Sequence, residues 1–244
     1  QDLQERPGRF QTSLEESSWD AWIKYYRQDQ NSINNQISYY DKGDIVNFLL
    51  DVEIRVASKG AKSLDDVFRH LYSEFSKKNK NFTPEDYQKV SEMMAGTSLE
   101  NFFDRYVRGK EELEPNDILE SFGLQMIKSR PENDTAYFGA NMTDDSNGVR
   151  ITSNPSGTPT YEAGLNFNDV IIAIDGYQVA NSRDFAFQMS RKKAGDKVKV
   201  TLFRHNKLFE FDVTLGKTPA SEFAIFSVEE PTADQMRLYE GYIG

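Results

Sequence analysis

The segment Asp169-Val170-Ile171-Ile172-Ala173-Ile174-Asp175-Gly176 decides the fold of the second half of this chain. Its apolar residues follow one another without interruption, and three of them are isoleucine. Such a short apolar run, ending in Asp-Gly, predicts a buried β-strand that leads into a tight turn. The segment therefore indicates a β-rich domain built around it.

Further strands are predicted on both sides of that segment. Residues 148–153 and 197–203 are rich in β-branched residues, and residues 209–215 alternate apolar and polar positions. A turn is predicted at His205-Asn206, between the last two strands. Residues 182–190 have helical periodicity, so we expect a small β-rich domain with one or two helices.

The first half of the chain has a different periodicity. Trp19, Trp22, Ile23 and Tyr26 follow the i, i+3, i+4, i+7 spacing of one helix face. An aromatic stripe at this spacing is more often part of a core than a ligand cage. We therefore expect a helix here whose aromatic face is buried.

More helices are predicted downstream of this stripe. Residues 44–58 form one apolar stripe, and capping-box patterns begin at Ser63, Thr83 and Thr97. These patterns predict an all-helical unit over residues 17–109.

Charge and proline mark the expected domain boundary. Residues 110–115 are rich in Lys and Glu and end in a proline, which is typical of a linker. We therefore expect a helical subdomain over residues 1–114, a β-rich domain over 115–216 and a C-terminal tail over 217–244. The tail contains a helical pattern at 232–239.

Composition excludes several classes of protein. The formal net charge of -10 would repel phosphates, so no nucleic-acid partner is expected. The chain has no cysteine and only two histidines, His70 and His205, which predicts no metal site formed by this chain alone. No apolar run approaches the ~20 residues of a membrane span. Because the chain starts with Gln1 and its first methionine is Met93, we expect a mature form or a fragment.

Several short motifs in the second half occur in a characteristic order. Together they resemble the PDZ domain in its bacterial arrangement, over about residues 119–216. The motifs are Tyr137-Phe138-Gly139-Ala140, Ser156-Gly157-Thr158-Pro159, Glu162-Ala163-Gly164-Leu165, Asp169 to Gly176 and Ala194-Gly195-Asp196-Lys197-Val198.

This resemblance implies a groove that binds the C-terminus of a peptide or protein. A loop of backbone N–H groups would hold the carboxylate, and the adjacent strand edge would pair with the peptide backbone. An acidic loop at residues 143–147 could alter which peptides fit. Phe185 and Met189 could equally be core residues, because they are spaced i, i+4 on a helix. By resemblance, the peptide-binding residues are Phe138, Gly139 and Ala140 in the loop, and Phe185, Gln188 and Met189 on the helix.

A second resemblance involves the first half of the chain. Tyr40-Asp41-Lys42-Gly43 lies between residues 19–27 and 63–67, and residues 102–109 follow before the PDZ-like region. This ordered set resembles the C-terminal half of the glycyl-aminopeptidase-like zinc metallopeptidases, peptidase family M61, over about residues 7–239. The resemblance implies that residues 1–114 are the helical part of a gluzincin catalytic domain.

The zinc ligands of that family cannot be assigned to this chain. The family uses a His-Glu-x-x-His helix and a further Glu, which are expected in a missing N-terminal half. The resemblance therefore implies no cofactor in this chain and zinc in the parent enzyme.

Tyr40 is the catalytic residue that the resemblance implies. In related aminopeptidases, the Tyr of Tyr-x-Lys-Gly donates a hydrogen bond to the oxyanion of the tetrahedral intermediate. A phenol suits this role because it is a neutral donor at neutral pH. The alternative is that Tyr39 or Tyr40 only packs at the start of a helix that begins near Asp44.

The sequence thus predicts an α+β multidomain protein. We expect a fragment of an M61-like peptidase that is inactive alone and carries a PDZ domain. A non-enzymatic PDZ binding protein and a degenerate peptidase without the zinc motif remain alternatives. A His-Glu-x-x-His segment upstream of Gln1 would separate them. The family resemblance suggests a bacterial enzyme that is exported or periplasmic, whereas the absence of cysteine is equally compatible with the cytoplasm.

Overall fold

The computed structural model describes residues 3–129, 136–220 and 222–243, and it confirms the α+β architecture. The helices lie mostly in the first half and the strands in the second. The α-helices are α1 (Leu14–Trp19), α2 (Ser32–Asn35), α3 (Tyr39–Ala57), α4 (Leu64–Glu74), α5 (Pro84–Ala95), α6 (Glu100–Phe103), α7 (Pro115–Leu119), α8 (Pro159–Glu162), α9 (Ser182–Met189) and α10 (Ala233–Ile243). The strands are β1 (Leu124–Ser129), β2 (Ala136–Tyr137), β3 (Asn141–Asp145), β4 (Gly148–Ser153), β5 (Val170–Ile174), β6 (Tyr177–Gln178), β7 (Lys197–Arg204), β8 (Lys207–Thr214), β9 (Gly216–Lys217) and β10 (Glu222–Ser227).

The chain is divided into two compact units, and each contains separate stretches of sequence. The described residues of the first unit fall within 1–11, 22–37 and 129–222. Those of the second fall within 12–21, 38–128 and 223–244. The chain thus passes between units at 128/129, whereas the sequence placed the domain boundary at 114/115. Separate folding of residues 1–114 and 115–216 stays a prediction, which limited proteolysis would test.

The main sheet of the first unit has the strand order β3-β4-β5-β7-β8, with β6 paired to β5. Both predicted hairpin turns are present, because Asp175 and Gly176 have φ of 50° and 80°, and His205 and Asn206 have φ of 49° and 63°. Such a pair of positive φ values suits the right-handed twist of the strands. β5 is central, and Ile171 and Ile174 are fully buried in the core. The deciding segment is therefore the buried strand that its sequence predicts.

One ion pair fixes the start of β5 against β7. Asp169 is fully buried, and its carboxylate accepts hydrogen bonds from Arg204 Nε at 2.8 Å and Nη2 at 2.7 Å. The guanidinium also lies over the rings of Phe209 and Phe211. A bidentate contact between a guanidinium and a carboxylate is stronger than a single hydrogen bond.

The second unit confirms two of the three predicted capping boxes. Ser63 and Thr83 cap α4 and α5, each with an aspartate three residues later. The third prediction, at Thr97, is wrong, because α6 begins after Leu99 without a side-chain cap from the N-cap residue. Instead, Glu92 accepts the Leu99 N–H at 3.0 Å. A carboxylate from the preceding helix thus contributes to capping the start of α6, together with Ser98 Oγ, which accepts the Glu100 N–H at 3.2 Å.

The predicted helix through Trp19, Trp22 and Tyr26 is also wrong. α1 begins earlier, at the capping box of Ser13 and Glu16, and it ends at Trp19, after which the chain forms turns. Trp19 and Trp22 are 89% and 79% exposed, so the aromatic stripe is not a core face in this chain. Helical spacing in the sequence shows that apolar residues would share one face of a helix. It does not show that another part of the protein covers that face.

The C-terminal helix α10, which the sequence predicts, packs within the second unit. The Tyr242 ring contacts Phe48 and Phe122 at centroid distances of 5.7 and 6.0 Å. Arg55 Nη1 donates to the carbonyl of Gly241 at 2.8 Å. Helix α10 is thus an integral element of this unit. None of the helices among the described residues is long and apolar enough to cross a lipid bilayer.

Candidate functional site: a peptide groove and an aminopeptidase-like tyrosine

The candidate peptide groove lies beside β3, at the edge of the main sheet. In the described part of the chain, β3 pairs only with β4. Helix α9 packs beside β3, and the loop of Phe138, Gly139 and Ala140 immediately precedes this strand. An edge strand offers unpaired backbone groups to which an extended peptide can add as a further strand.

Position 139 requires glycine because other residues of the domain lie close behind the loop. Its φ is +95°, and a Cβ there would lie 2.6 Å from Thr158 Cβ and 2.9 Å from Pro159 Cδ. Glycine is therefore needed at this position because the loop packs closely against the start of α8.

A buried polar network, which no sequence motif predicts, supports the same loop. Thr160 Oγ1 lies 3.1 Å from the Gly139 carbonyl oxygen and 2.7 Å from Asn154 Oδ1. Asn154 Nδ2 in turn donates to the Leu165 carbonyl at 2.5 Å. Thr160 is fully buried and Asn154 is 7% exposed. These residues come from separate segments of the chain, so a local sequence motif cannot predict the network.

The N-terminal segment of the same unit reinforces this network. Asn34 Oδ1 accepts the Ser156 N–H at 2.7 Å, and its Nδ2 donates to the Asn154 carbonyl at 3.2 Å. One side chain thereby holds both ends of a short turn. Residues 32–35 therefore stabilise the part of the β domain that supports the Gly139 loop.

The predicted groove residues are brought together, but three of them also belong to the core. The rings of Phe138 and Phe185 are in edge-to-face contact, with centroids 5.0 Å apart. Phe138, Phe185 and Met189 are all less than 10% exposed and lie in the core cluster. Ala140 packs against that cluster, and Gln188 is half-buried on α9. The core role of Phe185 and Met189 is thus visible, and their contact with a peptide stays a prediction.

The end of β3 farthest from the Gly139 loop is joined to α9. Asp144 Oδ1 accepts the backbone N–H of Ser182 at 2.7 Å and also accepts from the Ser182 hydroxyl. These hydrogen bonds lower the pKa of the Asp144 carboxyl below its usual value. The carboxylate is therefore ionised at neutral pH and lies at the N-terminus of α9, where the helix dipole favours a negative charge.

Tyr40 lies on the first turn of α3. This helix begins five residues earlier than predicted, because Ser38 rather than a residue near Asp44 is its N-cap, with the Asp41 N–H donating to Ser38 Oγ at 3.1 Å. The Tyr40 side chain is 58% exposed, and its ring lies 4.1 Å from that of Tyr39. Gly43 is inside the helix, where a Cβ would meet only Leu14 Cδ1 at 3.8 Å. Among the described residues, no backbone from another segment approaches Gly43 closely.

Lys42, two residues after Tyr40, is an unusual buried lysine. Its side chain is 1% exposed, and Nζ has no hydrogen-bond partner among the described residues. Burial lowers its pKa below the ordinary lysine value of 10.5 because an ammonium loses its hydration there. In the sequence, Lys42 is notable only as part of the Tyr-x-Lys-Gly motif, and no local pattern predicts its burial.

A metal centre is not formed by the described side chains. Within residues 3–129, 136–220 and 222–243, no three His, Cys, Asp or Glu side chains are grouped so that they could hold a metal ion. His70 lies on α4 and His205 in the β7–β8 turn.

Comparison with protein families identifies two regions. A model of the PDZ domain matches residues 123–215, so the β-rich part of the first unit is a PDZ domain. A model of the M61 glycyl aminopeptidases matches residues 1–46, which include Tyr40 to Gly43. The resemblance to an M61 peptidase with a PDZ domain is therefore confirmed.

Comparison with known proteins agrees with these matches. The structure of an aminopeptidase N family protein from Idiomarina loihiensis is similar, with a TM-score of 0.81 and 27% identity over 97% of this chain and 42% of that chain. A probable periplasmic serine endoprotease DegP-like from Brucella suis is 33% identical over 72 residues, which are 30% of this chain and 14% of the relative. A protein of the same description from Marinomonas sp. is 28% identical over 123 residues, 50% of this chain and 22% of the relative. The chain thus spans less than a quarter of these curated relatives and less than half of the structural relative.

Proposed function

We propose that this chain is part of an M61-like zinc aminopeptidase and that its PDZ domain binds the C-termini of peptides or proteins. The peptidase assignment is supported by the family match at residues 1–46 and by the aminopeptidase-like fold over nearly the whole chain. Zinc would be held by residues outside this chain and would activate the attacking water. The contribution of this chain to the reaction is Tyr40.

Tyr40 suits the role of oxyanion donor for three physical reasons. Its phenol is largely exposed and can therefore reach a substrate. It lies on the capped first turn of the 19-residue helix α3, which holds it in place. A donor fixed before the reaction stabilises the negative charge that develops on the carbonyl oxygen of the scissile bond.

The peptide-binding assignment depends on one observation, the exposed edge of β3 directly after the Gly139 loop. A peptide can add to this edge as an extra strand, with its carboxylate at the loop N–H groups. Phe138, Phe185 and Met189 supply apolar surface beside the edge. We therefore expect weak binding of extended peptides with an apolar C-terminal residue.

Fluorescence anisotropy with labelled decapeptides tests this binding. A peptide with a free C-terminal carboxylate should bind at least about tenfold tighter than its amide, because a charge-assisted contact is lost. Gly139→Ala should abolish the difference, since its Cβ collides with Thr158 and Pro159. Gly157→Ala is the matched control, because Gly157 also has a positive φ, +79°, but has no atom within 4 Å of an added Cβ. Equal affinity for carboxylate and amide peptides would contradict the proposal.

A further inference from the structure

The bridge between Asp144 and Ser182 crosses the space that a peptide strand would need. Covalent geometry and the 2.7 Å hydrogen bond together place Ser182 N within about 6 Å of the Asp144 Cα. The backbone of an added strand must lie about 4.8 Å from the backbone of β3. A comparable distance must separate the added strand from α9, because its side chains need space there. A peptide therefore cannot continue between these two residues while the bridge is intact.

The open part of the groove is accordingly short. It extends from the Gly139 loop along Ala140 to Thr143, where the bridge begins. At one peptide residue for each strand position, it accommodates about four residues. The chain upstream of those residues must leave the groove beside Asp144.

The surface at this exit carries a negative charge. Asp144 uses only Oδ1 for its bonds to Ser182, and Oδ2 has no hydrogen-bond partner in the described part of the chain. The neighbouring Asp145 is different, because its carboxylate is paired with Arg150. One ionised oxygen is thus available at the point where a bound peptide would emerge.

We infer that Asp144 is a specificity-determining residue that ends the groove and selects ligands with a cationic group about four residues before the C-terminal carboxylate. This inference rests on the proposed binding of peptide C-termini. The cationic group is either a Lys or Arg side chain of a longer chain or the free amino group of a short peptide. A peptide with a glutamate at that position is disfavoured.

Anisotropy titrations distinguish these ligands. Acetylated decapeptides carry Lys, Ala or Glu in turn at the third, fourth and fifth positions from the C-terminus. A tetrapeptide with a free or an acetylated amino group forms the other arm. At one of these positions, the wild-type protein should bind the Lys peptide about two- to fivefold more tightly than the Ala peptide, because an exposed ion pair contributes that much to affinity. The tetrapeptide with a free amino group should bind more tightly than the acetylated tetrapeptide by the same factor.

Two variants test the role of the residue itself. Asp144→Asn keeps an acceptor for Ser182 and removes the charge, so the preference for Lys should vanish while affinity for the Ala peptide is kept. Asp145→Asn removes a charge one residue away and should leave the preference intact. Asp144→Ala removes the bridge, so decapeptides should gain affinity relative to acetylated tetrapeptides.

The possible failures are separable. A Lys preference that persists in Asp144→Asn, or that Asp145→Asn removes equally, overturns the inference. So does equal binding of the Lys, Ala and Glu peptides by the wild type, while carboxylate-dependent binding itself still stands. Absence of binding to every free-carboxylate peptide overturns the proposed function and this inference together.

Discussion

Thr160 and Gly139 are joined by a buried hydrogen bond of 3.1 Å, from the threonine hydroxyl to the glycine carbonyl oxygen. The same hydroxyl lies 2.7 Å from Asn154 Oδ1, so one proton serves two buried acceptors. This arrangement holds the candidate carboxylate-binding loop from behind. The stability of the loop and its ligand affinity should therefore change together.

Replacement of Thr160 by the isosteric valine tests this link. Thr160→Val leaves two buried acceptors without their donor, which should lower the free energy of unfolding by about 1–3 kcal/mol. Peptide affinity should fall as well, because the loop loses its support. Thermal melts and anisotropy titrations measure the two effects, and Thr152→Val on the exposed face of β4 is the control, which should stay within about 0.5 kcal/mol. An unchanged melting temperature in Thr160→Val would show that the network does not stabilise the loop.

Substitution of Tyr40 tests the peptidase proposal. In the full-length, zinc-loaded protein, Tyr40→Phe should lower kcat by about 10²–10³ with little change in KM, because the lost hydrogen bond acts mainly on the transition state. Tyr39→Phe should have a milder effect. Steady-state kinetics with melting curves as the folding control measure both variants.

The outcomes of that experiment separate the alternatives. A near-normal kcat in Tyr40→Phe would show that this tyrosine only packs at the start of α3. A full-length protein that holds no zinc and hydrolyses no aminoacyl substrate would favour a non-enzymatic PDZ binding protein or a degenerate peptidase.

Lys42 should destabilise the fold, because its amine is buried without a partner. Lys42→Met removes the polar group at similar volume and should raise the free energy of unfolding by about 1–3 kcal/mol at neutral pH. Lys89→Met, at an exposed position of α5, is the control and should change little. Denaturant unfolding measures both, and a clear loss of stability in Lys42→Met would reveal a stabilising partner for the amine.

The pH dependence of stability should also differ in Lys42→Met. The pKa of Lys42 is lowered in the folded state, so between that value and 10.5 the unfolded chain binds one more proton. Stability should therefore rise with pH across this window in the wild type, and this contribution should be missing in the variant. Tyr87 acts oppositely above about pH 10, because burial raises its pKa to about 12, but it is common to both proteins. The difference between the two unfolding curves thus isolates Lys42.

The ion pair of Asp169 and Arg204 should be essential for the PDZ domain. Arg204→Leu leaves the fully buried Asp169 carboxylate unpaired, which should cost about 3–5 kcal/mol. Arg69→Leu breaks an exposed pair with Asp65 and should cost less than about 1 kcal/mol. Urea unfolding of the two variants provides the comparison, and equal losses would contradict the distinction between buried and exposed pairs.

Local features of this protein could be predicted from its sequence because neighbouring residues generate them. The capping boxes at Ser63 and Thr83 and the turns at Asp175-Gly176 and His205-Asn206 are formed within a few residues. The uninterrupted apolar run of β5 likewise predicts a buried strand wherever it packs. The order of such elements was enough to recognise the PDZ domain and the aminopeptidase-like segment around Tyr40.

Only the tertiary structure decided the features that depend on residues distant in sequence. Asn34 lies in the same unit as Asn154, and its side chain bonds to a turn 120 residues away in sequence. Lys42 is buried and Trp22 is exposed, against their ordinary tendencies, because the surrounding elements and not the side chain determine burial. The bridge from Asp144 to Ser182 spans 38 positions and joins a strand to a helix, so no local pattern contains it. Such contacts arise when the elements pack, and a one-dimensional pattern does not specify which distant residues then become neighbours.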